Sequence, residues 1–414
     1  MLDFSHLRSI CATSTVFSQR IIDDFLIPYA AQREQLVREM DARFARFRRV
    51  TQALQPGWVN FFKAQYIGHR IFKKEGLIKK YLNHAALKEL NPDERKFLTD
   101  QASVAWRFSF SIITGMPESD FYEMEDVFSG EIFLLYSPSV SKILKESGVS
   151  LWFNLIGFNG HCWQSFGPVI SFRCFEPDDI FFFATELNPK IETEEALMAD
   201  VELNPIPYMM LISGSNYPST AQGEDEVLQV FAEQPLSDFD SNTFKEAFII
   251  EYAQDVFRLK LRNWEEFPHF ATAYYAENEN LLLLTAMTDR GFTALVHALN
   301  RHGLKIPAEP DIRLHLPMMI CIKEILGKEL QLNPYEHLFE RNPIPSEQDN
   351  TDKLNRLLSL ALPFINAGQE PDIVALAKET GVDEDTAREI LGHTIGRIRK
   401  LQDDAGRKGK NRKP

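Results

Sequence analysis

Leu151-Trp152-Phe153-Asn154-Leu155-Ile156-Gly157-Phe158 runs into Asn159-Gly160 and on into His161-Cys162-Trp163. An Asn-Gly pair between apolar runs is the strongest local turn signal in the chain, because glycine readily takes the positive φ angle that a tight hairpin turn requires. The reading is two extended segments folded back on each other, with further strand-like sequence over residues 169–175. Upstream, residues 121–128 and 131–136 form a second such pair, joined by Ser129-Gly130. Downstream, the run Asp179-Ile180-Phe181-Phe182-Phe183-Ala184 has the length of a strand. A small antiparallel β domain, sheet or partly closed barrel, is therefore expected over residues 118–187.

Outward from this centre the pattern changes. Residues 1–115 read as a mostly helical, basic region. Leu36, Met40, Phe44 and Phe47 recur at helical spacing within residues 32–54, and Pro56-Gly57 ends that stretch. A second helical stretch carries Phe61, Phe62, Tyr66 and Ile67 ahead of Arg70, Lys73, Lys74, Lys79 and Lys80. Asn91-Pro92-Asp93-Glu94 has the form of a helix start, with Asn91 as cap and Glu94 three residues on.

Residues 188–340 are expected to form an acidic α+β domain. Residues 224–231 and 243–255 read as helices, and residues 256–261, 271–275 and 281–287 as strands. A helix follows from Phe292 to an end at Gly303, and another begins near Met318. Residues 341–352, with Pro343 and Pro345, read as a linker; residues 353–402 as a helical module; and residues 403–414 as a basic disordered tail. In that module Ala377 lies four residues before Gly381, with Val382 next, the spacing of a helix-turn-helix. The second helix offers Glu384, Asp385 and Glu389 against Arg388, a poor surface to bring to phosphates. The fold class is multidomain α+β: helical N-terminal region, small antiparallel β domain, α+β domain and C-terminal helical module with helix-turn-helix-like spacing.

The 414 residues carry a net charge of −14, unevenly placed. Residues 33–107 hold 16 Lys/Arg against 8 Asp/Glu, residues 108–352 hold 15 against 39, and residues 353–414 hold 12 against 9. The 32 phenylalanines are accounted for by core packing. No apolar run reaches the length of a transmembrane segment, and Met1-Leu2-Asp3-Phe4-Ser5-His6 lacks the basic start of a signal peptide, so a cytoplasmic protein is expected. Cys11, Cys162, Cys174 and Cys321 form no CxxC pair and read as free, largely buried thiols; Cys162 and Cys174 are the pair that neighbouring strands would bring together.

Candidate chemistry is dispersed. His297 on a helix, and Glu123 and Glu125 on one face of a strand, are the catalytic candidates, since paired carboxylates or a histidine can run acid/base steps. Arg70, Lys73 and Lys74, with Arg397, Arg399 and Lys400, are the phosphate-binding candidates. No HExxH or comparable spacing specifies a metal, and no glycine-rich loop specifies a nucleotide or other cofactor. Modular charge without a coherent catalytic constellation points to an intracellular, non-enzymatic interaction or regulatory protein with a protein partner. Two alternatives stand beside it: a hydrolase or nucleotide-dependent enzyme with its site in the acidic middle, and a nucleic-acid-associated protein making non-specific contacts through its basic ends.

Overall fold

Strands begin where the apolar residues stop recurring at helical intervals. In the computed structural model β1 (Arg107–Glu118), β2 (Phe121–Asp126), β3 (Ile132–Tyr136), β4 (Leu151–Phe158) and β5 (Trp163–Phe172) close into a barrel of order β1-β2-β3-β5-β4. All neighbours are antiparallel except β3 and β5. The structure describes residues 2–339, apart from 56, 145–150, 216, 218–220, 223, 265–266 and 331–332, and parts of 353–391. It divides into two units, Met1–Pro334 and Tyr335–Pro414.

Strand β4 shows why its sequence is apolar rather than alternating. Trp152 and Ile156 point into the barrel with Tyr122, Met124, Phe133 and Trp163, while Phe153 and Leu155 pack outward against the helices. A strand covered on both faces has no polar side to present.

The helices precede and follow the barrel. α1 (Phe4–Phe17) runs through a π-helical stretch, Ser18–Leu26, into α2 (Ile27–Arg33). Pro28 has no N–H to donate and its ring crowds the carbonyl four residues back, and the widened turns lie immediately before it. α3 (Leu36–Phe44), α4 (Arg48–Ala53), α5 (Trp58–Phe72), α6 (Ile78–Tyr81) and α7 (Pro92–Ser103) complete this layer. The apolar stripe of Leu36, Met40 and Phe44 is buried, but the single long helix expected over residues 32–54 is broken at Gln35, which takes φ 55°. At α7 the expected cap is present: Asn91 Oδ1 accepts the Glu94 N–H and Glu94 Oε2 accepts the Asn91 N–H.

After α8 (Pro138–Leu144), the run 179–184, strand-sized by its length, is helical. It lies in α9 (Pro177–Leu187), which Pro177 opens from its first turn and which buries Ile180, Phe183 and Ala184 at helical spacing. α10 (Glu194–Leu203) and α11 (Pro205–Met209) lead to a short hairpin, β6 (Ala221–Gln222) and β7 (Asp225–Glu226).

A six-stranded antiparallel sheet follows, of order β13-β8-β12-β11-β10-β9. Its strands are β8 (Leu228–Pro235), β9 (Phe248–Ala253), β10 (Val256–Leu261), β11 (Ala271–Ala276), β12 (Leu281–Ala286) and β13 (Ile312–His315). The helices expected over residues 224–231 and 243–255 are therefore replaced largely by strands β7, β8 and β9. For β9 the reason is a hairpin without a glycine: Gln254 and Asp255 both take positive φ, 50° and 64°, and Ala253 pairs with Val256 across them. α12 (Asp289–Arg301) covers one face of the sheet with Phe292, Leu295, Val296 and Leu299. α13 (Leu316–Leu326) returns to the first core through Met318, Cys321, Ile322 and Ile325.

The second unit contains a helix, Ile373–Thr380, capped by Asp372 and stopped by Gly381 at φ 70°. Leu376, Ala377, Ala387 and Leu391 share a small core with Leu357 and Ala361. The architecture is thus multidomain α+β, with a helical N-terminal region, a small β-barrel, a mixed α+β region and a C-terminal helical module. Among the described residues no helix is long and apolar enough to cross a membrane. The linker at residues 341–352 and the tail at 403–414 lie outside the described residues.

Candidate functional site

Two places in the first unit gather polar chemistry. The first is a cavity of about 480 Å³ between the π-helical stretch, α5, α7 and the barrel strands β4 and β5. Phe61, Phe97, Trp106 and Phe166 supply aromatic walls, and Ser14, Ser18, Gln19 and Gln164 supply hydroxyls and amides. Strand β4 comes close because Gly157 has no side chain: a Cβ there would lie 2.5 Å from Trp106 Nε1, which donates to Gln101 Oε1 at 2.9 Å. Asp23 is the one carboxylate in the lining, and the lining holds no Lys or Arg. Burial, with the adjacent Asp24 charge second, pushes the Asp23 carboxyl up to about 6. Its neighbour Asp24 accepts from Gln19 Nε2; Asp23 itself has no hydrogen bond or ion pair among the described residues.

The second place is an ionic cluster centred on β13. Asp179, fully buried in the first turn of α9, accepts the His315 backbone N–H at 2.8 Å and lies 2.8 Å from His315 Nδ1. Its Oδ2 also accepts the Glu176 N–H, closing the cap of α9. An acid bound at Nδ1 leaves Nε2 as the outward ring nitrogen, and that atom lies 3.6 Å from Glu226 Oε2. Burial opposes the charged ring, but the hydrogen bond and charge of Asp179, helped by Glu176 and Glu226, outweigh it and hold His315 above its ordinary value.

Arg313, two residues earlier, reaches Glu176 Oε2 at 2.5 Å, Asp289 Oδ2 at 3.1 Å and Glu226 Oε2 at 3.3 Å. Glu176, Glu226 and His315 offer one ligand atom each within 4.8 Å of one another, a donor set suited to a divalent transition metal. Arg313 already supplies a cation to both glutamates, so a metal has to displace the guanidinium. The neighbouring hairpin residue Asp225 faces another buried histidine, with Asp225 Oδ2 3.7 Å from His269 Nε2, while His269 Nδ1 bonds Thr288 Oγ1 at 2.8 Å.

No family model, curated protein or solved structure matches this chain.

The arrangement therefore speaks only through its own residues. The sequence candidates are spread over both halves of the first unit. His297 is an exposed residue of α12, and Glu123 and Glu125 share a face of β2 in the barrel, Glu123 exposed and Glu125 half-buried. No hydrogen bond or ion pair joins any of these three side chains to another among the described residues. Arg70 is half-buried and lies 3.6 Å from Glu39; Lys73 is half-buried, and burial followed by the charge of Arg70 lowers its pKa; Lys74 is exposed. Arg397, Arg399 and Lys400 lie outside the described residues.

Sequence reasoning missed Asp23, Asp179, Glu226 and Arg313. A signal for Asp23 was present, an acid pair set between Ile21-Ile22 and Phe25-Leu26. None existed for the cluster, whose partners Asp179 and His315 are 136 residues apart. A larger cavity of about 790 Å³, lined by Arg49, Arg173 and Glu324 with Trp58, Ser213 and Tyr217 among others, sets two guanidinium groups against one carboxylate.

Proposed function

We propose that this is an intracellular, non-enzymatic regulatory protein that works by binding. A small organic cation, or a neutral polar molecule with a flat apolar face, enters the Asp23 cavity of the first unit. The C-terminal helical module meets a protein partner. The observation that carries the reading is the unpaired, half-buried Asp23 carboxylate in a cavity walled by aromatic rings, hydroxyls and amides. Such a site rewards a ligand that brings positive charge or hydrogen-bond donors and repels phosphates. The π-helical wall supports it, because such turns recur at functional sites. Four free buried thiols suit a reducing compartment.

Calorimetric titration of the full chain at neutral pH tests this, using a panel of amines, amino sugars and neutral sugars, with nucleotides as anionic controls. At least one amine or sugar is expected to bind saturably, and Asp23→Asn is expected to abolish binding of the amines. Binding of nucleotides alone, or turnover of any panel member, would overturn the reading.

A second reading, a hydrolase in the acidic middle, is favoured by the His315–Asp179 pair, which has the base-plus-orienter form used in acid/base catalysis. Its test is ester and phosphoester turnover with and without divalent ions. Activity lost in His315→Asn, with folding retained, would establish it.

A further inference from the structure

Cys11 in α1 and Cys162 after the Asn159-Gly160 turn are 151 residues apart in sequence, yet their sulfurs lie 3.5 Å apart. Both thiols are buried, in a small core with Leu7 and Phe121. Asn159 holds the pair together: its Nδ2 lies 3.4 Å from Cys11 Sγ and 3.7 Å from Cys162 Sγ, while its Oδ1 accepts the Cys162 N–H at 2.9 Å. Gln164 Nε2 donates to the Cys11 carbonyl at 3.3 Å, fixing α1 against the same turn.

The two sulfurs are electrostatically unequal. The Cys162 hydrogen bond, with help from Asn159 and Arg8, lowers the Cys11 thiol despite its burial, whereas the same hydrogen bond and burial raise Cys162. The hydrogen bond between the sulfurs can run in either direction, but the Arg8 cation acts on the Cys11 side alone, so Cys11 is taken as the attacking sulfur and Cys162 as the resolving one. The other two cysteines differ. Burial pushes Cys174 and Cys321 each up to about 12, and among the described residues Cys321 has Ser213 as its side-chain hydrogen-bond partner.

We propose that Cys11 and Cys162 are a redox modification site, closed by hydrogen peroxide into an intramolecular disulfide that ties α1 to the β4–β5 turn. The Cys11 thiolate attacks one peroxide oxygen, the O–O bond breaks and hydroxide leaves, giving a sulfenic acid. Cys162 then attacks that sulfur, the S–O bond breaks, and the departing hydroxide takes the Cys162 proton as water. Two thiols and one peroxide give one disulfide and two waters, so the sulfurs are oxidised and the peroxide is reduced. A dithiol reverses the step by exchange. The tie also reaches the cavity, because Ser14 and Thr15 on the same helix line it. That consequence rests on the ligand reading of the cavity; the disulfide itself does not.

Mild peroxide treatment of the full-length protein, read by intact mass and non-reducing peptide mapping, tests the proposal. The expected result is loss of two hydrogens per chain, a crosslinked peptide pair containing Cys11 and Cys162, Cys174 and Cys321 still open to alkylation after unfolding, and full reversal by dithiothreitol. In Cys162→Ser a dimedone-reactive sulfenic acid is expected to persist at Cys11. Hydrogen exchange on the wild-type chain needs no variant, and α1 amides are expected to slow by about tenfold or more on oxidation. Four alkylatable thiols after peroxide, or a crosslink between any other pair, would overturn the proposal. If the disulfide forms but leaves ligand release unchanged, only the consequence for the cavity is overturned.

Discussion

Asp23 and His315 are carried in opposite ways. The Asp23 carboxyl sits near 6 against an ordinary value of 3.8, so the folded state holds its proton more tightly than the unfolded chain does. Its contribution favours folding below the unfolded value and is lost as pH rises through 6. Asp23→Asn removes the charge and keeps the shape. The variant is expected to gain on the order of 1 kcal/mol over wild type at pH 7.5, allowing for the part of the carboxyl that water still reaches, and nothing near pH 4. Denaturant midpoints at the two pH values check this. His315 is also raised, but as a base its partnered charge is stabilising. That contribution is complete below its unfolded value and is lost as pH rises through the folded one. Wild-type midpoints are therefore expected to fall from pH 6.5 toward pH 9, and those of His315→Asn to be flat by comparison. At pH 6 the variant is expected to lose roughly 3 kcal/mol, because the fully buried Asp179 keeps its backbone N–H bonds but loses the cationic ring that neutralised it.

Strand and helix boundaries follow from a few positions that admit one backbone or one approach. Gln254-Asp255 makes the β9–β10 turn with two non-glycine residues at positive φ. Changing the pair to Asn-Gly is expected to stabilise the protein by about 0.5–1 kcal/mol, read as a higher denaturation midpoint with unchanged slope. Gly157 makes the opposite point. Alanine there drives a methyl group against the Trp106 indole and the Gln101 amide that it bonds. Gly157→Ala is expected to cost about 1–3 kcal/mol and to redden and weaken the fluorescence of Trp106, read against a Trp106→Phe background.

The whole molecule carries its charges in blocks, and tertiary contacts spend part of the basic block. Arg43 and Arg70 meet Glu39, Lys63 meets Asp41 and Lys80 meets Glu34. With a net charge of −14 besides, the full chain is expected to leave duplex DNA and RNA unshifted at physiological salt. A tight complex that weakens steeply with added salt would instead restore the nucleic-acid alternative. Legibility followed the range of the interactions. The Asn159-Gly160 turn, the Asn91 cap, the helix end at Gly303 and the strands of residues 256–287 are set by neighbours in sequence, and each was readable there. The 179–184 run was not, because its aromatic residues suit a strand or a helix and the packing of Ile180, Phe183 and Ala184 chose the helix. By itself the sequence determined the α+β class, the barrel's hairpins and a C-terminal helix stopped at Gly381, all products of local backbone preference and apolar period. Tertiary structure decided that Asp23 faces a cavity, that Asp179 holds His315 and that Cys11 meets Cys162. Burial and charge proximity act through space, and the chain order of those residues carries no record of either.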